Sequence, residues 1–486
     1  MSHAHLISDL AARLGSAGVL TEAGDIAAYA NDLSGATGGQ IVAVARPGSR
    51  DDVVAVVRLC AAAGLSITPR GGGTGLSGGA TPVAGASLLL SFERLRAIRS
   101  IDAVGNSIVV EAGVTLHAAQ QAALQAQRQL GLSHGGVSSQ IGGNLSTNAG
   151  GNNVLRYGMA RDQVLGLEVV LADGSVLDFL APLRKNNAGY DLKHLFLGSE
   201  GTLGLITAAT LKLRPAAASR ATILVGLRDI ESVMAFFARA QAALGESLIA
   251  VELMPRSGIE LVLDSFPLAR EPFARPTAWA LLVEAESASR FFDLDAAMGD
   301  LFEQAQQAGE AVDGNIAASQ AQRLELWALR ERIAHVMIES PISLKMDTAV
   351  PIAFIPAFLQ AAGEAVMRVM PGCRAVPFGH VGDGNIHFNV VGPAGMGAAQ
   401  FDAGRAALSR VIEDCALALD GTVSAEHGVG LLKRDALARM RSSAELDVMV
   451  RLKAALDPTL LLNPGKVIDR VVGKEPGGPA SQNDRE

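Results

Sequence analysis

Two long glycine-rich stretches, the first set between strand-like runs rather than in front of a helix, limit what this chain can fold into. The first, GGGTGLSGGATPVAG at 71–85, follows LSITPR (65–70) and precedes SLLLSF (87–92). Gly73-Thr74-Gly75-Leu76-Ser77-Gly78 satisfies GxGxxG. A doubly wound dinucleotide fold, however, needs that loop to open a helix whose N-terminus meets the pyrophosphate. Here the next regular element is a strand, and no GK[ST] follows to make a Walker loop. What remains is a nest of backbone N–H groups, unshielded by Cβ atoms, turned toward an anion. The second stretch, SHGGVSSQIGGNLSTNAGGNN at 133–153, adds hydroxyls and amides from Ser138, Ser139, Asn144, Thr147 and Asn148. Tight turns between strands would explain one such loop. Two of this length point to a large ligand held mainly by main chain.

The surrounding pattern is an antiparallel α+β one. Short strands alternate with helices from residue 40 onward, a hairpin turns at Asp173-Gly174, and Pro215 followed by AAAS reads as a boundary. A length of 486 residues suggests two to four domains. The net charge of −8 argues against a broad nucleic-acid surface. Cys60, Cys373 and Cys415 are too sparse for a disulfide framework, which fits a reducing, cytoplasmic setting. The N-terminus lacks a basic region ahead of an apolar core, and no uncharged apolar run reaches about 18 residues, so neither a secretory signal nor a transmembrane helix is expected. Residues 471–486, polar and rich in Pro and Gly, read as a disordered tail.

Two C-terminal stretches carry reaction chemistry. GHVGDGNIHFNV (379–390) and SAEHGVG (424–430) supply His380, His387, Glu426 and His427 among glycines. Two imidazoles and a carboxylate form a ligand set for a divalent transition metal with an open position, Zn²⁺ or Mn²⁺. His427 is left over as a base, since imidazole suits proton transfer near neutral pH. Gly382-Asp383-Gly384 permits a turn that brings the two histidines to one site. Asp383 would either orient a ring or cap the turn, and Asn385 would donate to a substrate.

PRGGGTGLSGG (69–79), SSQIGGNLSTNAGGNNVLRYG (138–158), KNNAGYDLKHLFLGSEGTLGLIT (185–207), GHVGDGNIH (379–387), SAEHGVG (424–430) and NPGK (463–466) occur in this order. Over about residues 40–468 the chain resembles the FAD-linked oxidases of the vanillyl-alcohol oxidase (PCMH) type, within them the D-2-hydroxy-acid dehydrogenases that act on D-2-hydroxyglutarate or D-lactate. The resemblance implies an α+β chain: an N-terminal helical segment (1–34), a two-subdomain PCMH-type FAD-binding domain (35–215), an antiparallel-sheet substrate or cap domain (216–425), and a helical C-terminal segment (426–470) returning to the flavin. It implies that Pro69, Arg70, Gly71, Gly72, Gly73, Thr74, Gly75, Leu76, Ser77, Gly78 and Gly79 cradle the diphosphate. Ser138, Ser139, Gly142, Gly143, Asn144, Thr147, Asn148, Ala149, Gly150 and Tyr157 would line the flavin and its ribityl chain. Glu200, Gly201, Gly204 and Ile206 would flank the adenine side, and Asn463 would close the site. The first loop holds no His or Cys for a covalent tether, so FAD is expected to be non-covalent.

In this reading a D-2-hydroxy acid is oxidised to the 2-oxo acid by hydride transfer to flavin. The metal on His380, His387 and Glu426 polarises the hydroxyl, and His427 takes its proton. The resemblance points to Arg330 and Lys345 as carboxylate anchors. A hydroxyl expected one helical turn after Arg330 is absent, because that place is Ala334. D-2-Hydroxyglutarate is the first expectation for the substrate, D-lactate the second and glycolate the third. The electron acceptor is expected to be an electron-transfer flavoprotein, a quinone or a soluble carrier, and the resemblance makes a homodimer the family-level guess. A zinc hydrolase with structural glycine loops and a flavin-binding subunit without catalysis are the competing classes.

Overall fold

The computed structural model describes residues 2–468 apart from 37, 83, 84, 135 and 137; the tail expected to be disordered lies outside the described residues. Three sheets organise the chain. The first holds Val19–Leu20, Gln40–Ala45, Ala86–Ser91 and Ser66–Arg70 in that spatial order, the last three parallel. Helices His3–Leu14 and Arg50–Ala63 cover it with Leu6, Leu10, Val53, Val56, Val57 and Cys60. The second helix starts where the sequence places it: Ser49 Oγ accepts the Asp52 N–H at 3.2 Å, and Asp51 and Asp52 meet the positive end of the helix dipole.

The second sheet is antiparallel, with spatial order Ile98–Asp102, Ser107–Glu111, Leu205–Pro215, Val164–Val170 and Val176–Asp178; Arg128–Leu130 pairs the far end of Leu205–Pro215. The two glycine-rich stretches connect and cap these first two sheets. One expectation fails here. The second stretch is not wholly a loop, because Ile141–Ser146 forms a short helix despite two glycines. A Cβ on Gly142 would lie 2.7 Å from that of Ala112, so close packing requires glycine there.

The third sheet has eight strands, all antiparallel: Ala311–Ile316, Ser219–Leu227, Trp279–Ser287, Leu248–Pro255, Arg374–His380, Asn385–Val391 and Ser343–Leu344, with Thr348–Ala349 beside Asn385–Val391. Helices Ile230–Leu244, Leu294–Gln307, Ile355–Val369 and Ala398–Leu417 bury one face through Ile223, Val225, Leu281, Val283, Phe358, Phe388 and Phe401. The 352–369 stretch is the one described helical run long and apolar enough to cross a bilayer, though it carries Glu364 and Arg368; here Phe358, Ala362 and Val366 are core. Helices Arg256–Ser265 and Gln320–Glu339 cover part of the opposite face through Ile259, Val262, Trp327 and Ile333. On that face the alternation along Trp279–Ser287 turns from Ala280 and Leu282 to Glu284 and Glu286, both buried. Glu252 and His380, paired across neighbouring strands, extend this polar row. The chain after residue 456 then crosses back: Leu462 bridges Ile67 in the first sheet, and Asn463 N–H donates to the Ile67 carbonyl at 2.8 Å.

Candidate active site

The hairpin Arg374–His380/Asn385–Val391 places His380 opposite Asn385 and Phe378 opposite His387. Side chains two residues apart on a strand share a face, so both imidazoles stand on the polar face of the large sheet. The turn depends on Gly384, which has φ 84° and whose absent Cβ would collide with the Val350 carbonyl. The His380 and His387 ring centroids are 5.5 Å apart.

Glu426 arrives from the 424–430 loop. Its Oε1 lies 3.9 Å from His380 Nε2 and 3.5 Å from His387 Nε2. The ligand atoms of His380, His387 and Glu426 all fall within 4.8 Å of one another. A second grouping, Asp347 with Glu426 and His427, meets the same distance. The Asp347 oxygens, however, are already taken. They accept from the main-chain N–H of Glu426 (3.2 Å) and His427 (2.9 Å), Lys433 Nζ (3.2 Å) and Asn385 Nδ2 (3.2 Å). The two-histidine set has two neutral-capable nitrogen donors facing one carboxylate, the donor mix that suits a divalent transition metal better.

Electrostatics separate the two imidazoles. Burial pulls His387 down to about 4, so it stands as a neutral imidazole. Burial acts the same way on His380, but Glu252 Oε1, 2.6 Å from Nδ1, outweighs it and lifts the ring to about 9. Glu252 itself, fully buried, is held down to about 2 against its own desolvation by His380 and Arg330. The Nδ1 contact to a carboxylate leaves Nε2 of His380 facing Glu426, the arrangement that orients a metal-bound imidazole. Sequence reasoning missed Glu252, because nothing local marks one strand carboxylate among several. It also missed Asp347, whose signal is only its place in SLKMD.

Arg330, from the Gln320–Glu339 helix, is buried over the Phe378 ring with Cζ 5.2 Å from the centroid. Its Nε donates to Glu252 Oε2 at 2.7 Å, which leaves the two terminal nitrogens for another partner. Lys345 differs from expectation. It is exposed, and partial burial together with the charge of Arg405 lowers its pKa. Asn385 also departs from its expected role, since both Nδ2 hydrogens are used on Asp347 and on the Thr348 carbonyl (2.9 Å). Asp383 caps the turn, accepting the Asn385 N–H at 3.1 Å, and makes no hydrogen bond to either ring.

His427 stacks on His387 at 5.9 Å and 13°. Its Nδ1 is 3.5 Å from Asp347 Oδ2 and its Nε2 is 3.7 Å from Glu426 Oε1. A carboxylate beside Nδ1 favours the tautomer that leaves Nε2 free to accept a proton. His134, half-buried in the second glycine stretch, lies near this loop as well. Its Nδ1 accepts the Gly136 N–H at 3.1 Å, and burial lowers its pKa against the pull of Asn144 and Glu426.

The glycine stretches meet along one seam. A Cβ on Gly72 would sit 2.6 Å from the Ser138 carbonyl, and one on Gly71 3.6 Å from Gly143 Cα. Arg70 lies buried beneath the first stretch, where a Cβ on Gly73 would strike its guanidinium; burial lowers its pKa although Asp32 opposes this. Gly143 has open space where its Cβ would be. Buried polar atoms with no protein partner gather here: Arg70 Nη1, Gln140 Oε1, Asp32 Oδ2 and Asn463 Oδ1. Each such atom costs about 1–3 kcal/mol when unmet, so the seam fits a large polar ligand such as a flavin dinucleotide. Some expected liners lie elsewhere. Ile206 is core, and a Cβ on Gly204 would lie 2.7 Å from Val169 and 2.9 Å from Phe196. The Tyr157 hydroxyl bonds Glu286 of the large sheet, which pins one half of the chain to the other. Beside it a cavity of ≈ 320 Å³ runs past Ser133, Asn152 and Trp327, one helical turn from Arg330.

Residues 41–180 match the family model described as FAD binding domain, and 216–467 match FAD linked oxidases, C-terminal domain. The chain is 38% identical over 454 residues to a D-2-hydroxyglutarate dehydrogenase of Xanthomonas citri pv. viticola, covering 92% of this chain and 94% of that one. It is 36% identical to the mitochondrial D-2-hydroxyglutarate dehydrogenase of Bos taurus, covering 87% and 76%. Among solved structures, p-cresol methylhydroxylase with substrate bound superposes with a TM-score of 0.76 at 18% identity over 96% of this chain and 97% of that one, a likeness of fold.

Proposed function

The chain belongs to the FAD-linked oxidases, as an FAD-dependent dehydrogenase of hydroxy acids, and on that premise we propose that it oxidises D-2-hydroxyglutarate to the 2-oxo acid with the help of a divalent cation. The observation that carries the cation is the convergence of two buried imidazoles and Glu426 within 4.8 Å, with His427 alongside. Bound FAD would accept the substrate's α-hydrogen as hydride, with the glycine seam, Arg70 and Asn463 as its holders. A Zn²⁺ or Mn²⁺ ion on His380, His387 and Glu426 would lend Lewis acidity toward the hydroxyl.

The residues of the chain do the rest. The terminal nitrogens of Arg330 grip a carboxylate by paired hydrogen bonds while Glu252 fixes the guanidinium plane. Glu252 also sets the ring of His380. His427 takes the hydroxyl proton at Nε2, steadied on its Nδ1 side by Asp347. The packed strands beneath this cluster shut water from one side. Domain limits of 35–215 for flavin, 216–425 for substrate and 426–470 for the returning segment follow the same reading. So do a cytoplasmic setting and an electron acceptor of the flavoprotein, quinone or soluble-carrier kind. Ala334, where a hydroxyl was expected one turn after Arg330, favours a smaller acid, D-lactate, as the second reading.

The test is anaerobic bleaching of the visible flavin band. D-2-Hydroxyglutarate is expected to bleach it faster than D-lactate, and the L-enantiomer not at all. Exhaustive chelation should slow bleaching without releasing FAD, and Zn²⁺ or Mn²⁺ should restore it. Bleaching at full rate after chelation removes the cation from the reading, and D-lactate outrunning the C5 acid replaces the substrate.

A further inference from the structure

Glu200 and Ser77 belong to the glycine-seam half of the chain, yet their polar atoms serve the loop that carries Glu426 and His427. Glu200 is fully buried at φ 52°, a conformation few side chains adopt freely. Its two oxygens accept the main-chain N–H of Val429 (2.7 Å) and Gly430 (2.8 Å). Ser77 Oγ donates to the carbonyls of His427 (3.0 Å) and Gly428 (3.1 Å). The Ser77 carbonyl in turn accepts from Leu431 (2.8 Å) and Leu432 (3.1 Å). The fit leaves no slack: a Cβ on Gly79 would lie 3.1 Å from Glu200 Oε2, one on Gly428 3.0 Å from Oε1, and one on Gly430 would strike the Ser77 carbonyl. Asn463 Nδ2 closes the joint, donating to the carbonyls of Gly79 (3.0 Å) and Glu200 (2.7 Å).

We propose that Glu200 and Ser77 are positioning residues that make the glycine loop and the histidine–carboxylate cluster one coupled unit, so that FAD and a divalent cation bind cooperatively. The inference rests on the cation reading given above. The physical basis is that Glu426 and His427 have no regular secondary structure to hold them. The backbone of their loop is fixed from one side by Asp347, and from the other by Ser77 and Glu200 of the glycine seam. A ligand that stills residues 71–79 therefore lowers the ordering cost of Glu426, and by thermodynamic linkage the cation strengthens FAD binding by the same factor.

The experiment compares zinc affinity, by competition with a chromophoric chelator, for the full-length chain loaded with FAD and stripped of it. His387→Ala defines zinc held elsewhere. In the parent, FAD is expected to tighten zinc binding at least about fivefold, and zinc to tighten FAD binding equally, read by flavin fluorescence. Ser77→Ala, a small change, and Glu200→Gln, which sets an amide N–H against a main-chain N–H, are each expected to bring that factor toward one while zinc still binds. A parent factor of one, or variants that keep the parent's factor, would overturn the coupling and leave the cation site standing. Equal zinc stoichiometry in the parent and His387→Ala would overturn the cation reading and the coupling with it.

Discussion

Asp347 Oδ2 accepts the main-chain N–H of His427 at 2.9 Å and lies 3.5 Å from the Nδ1 of the same residue. One carboxylate thus both anchors the His427 backbone and stands beside Nδ1, while Nε2 faces Glu426 Oε1 at 3.7 Å. His427→Ala is expected to slow substrate-driven flavin reduction by about 10²–10⁴-fold, the usual worth of a positioned base, with little change in melting temperature. Asp347→Ala should do both kinds of damage. Beyond slower reduction, it leaves the Glu426 and His427 N–H groups without their acceptor at about 1–3 kcal/mol each, which denaturant melts will read.

Glu252 holds His380 on one oxygen and Arg330 on the other. Glu252→Ala strands a buried guanidinium and should cost about 3–5 kcal/mol of stability. Glu252→Gln keeps the shape, loses charge, and is expected to weaken zinc binding by about 10–100-fold in a chelator competition. A variant with unaltered zinc affinity would confine Glu252 to a structural role.

The free ends of Arg330 predict a substrate-binding defect. Arg330→Lys keeps the charge but loses the paired geometry, and should raise KM for D-2-hydroxyglutarate about ten- to hundredfold, the equivalent of one charge-assisted contact, with a smaller effect on kcat. Lys345→Ala, at an exposed position, should change KM little. Steady-state kinetics on the two variants side by side separates these outcomes.

Asp383 supplies a pH test. Burial raises its carboxyl from 3.8 to about 6 in the fold. The native state therefore binds that proton more tightly than the unfolded chain. Stability contributed by the protonated form is complete below pH 3.8 and lost as pH rises through 6. The loss at neutral pH approaches about 3 kcal/mol as an upper bound. Asp383→Asn keeps the acceptor for the Asn385 N–H, so the metal-free variant should outlast the parent in urea at pH 7 and match it near pH 4. Loss of stability at pH 7 would mean that the charge is needed by the cluster.

The parts of this protein legible in its sequence are those built by contiguous residues. The glycine stretches, the paired histidines and the EHG loop each announce their chemistry within one contiguous run. The partners that tune them do not, because Glu252 lies 128 residues from His380 and Asp347 lies 80 from His427. Ser343–Leu344 and Thr348–Ala349 are two short strands rather than one, since the Met346 N–H bonds the Asn389 side chain and Asp347 turns to the 424–430 loop. The Ile141–Ser146 helix was hidden by two glycines, of which packing against Ala112 demands Gly142. Lys345, between the two short strands, is exposed, which its charge alone gave no sign of.

The Arg374–His380/Asn385–Val391 hairpin sets the distance between its two imidazoles by strand pairing, and pairing admits only whole-residue steps. Adding or removing a single residue in either arm would flip one ring to the opposite side of the sheet. Divergence among homologous chains at this hairpin should therefore take the form of exchanged side chains at constant length, and a search for altered ion preference has more to gain from neighbouring positions than from remaking the turn.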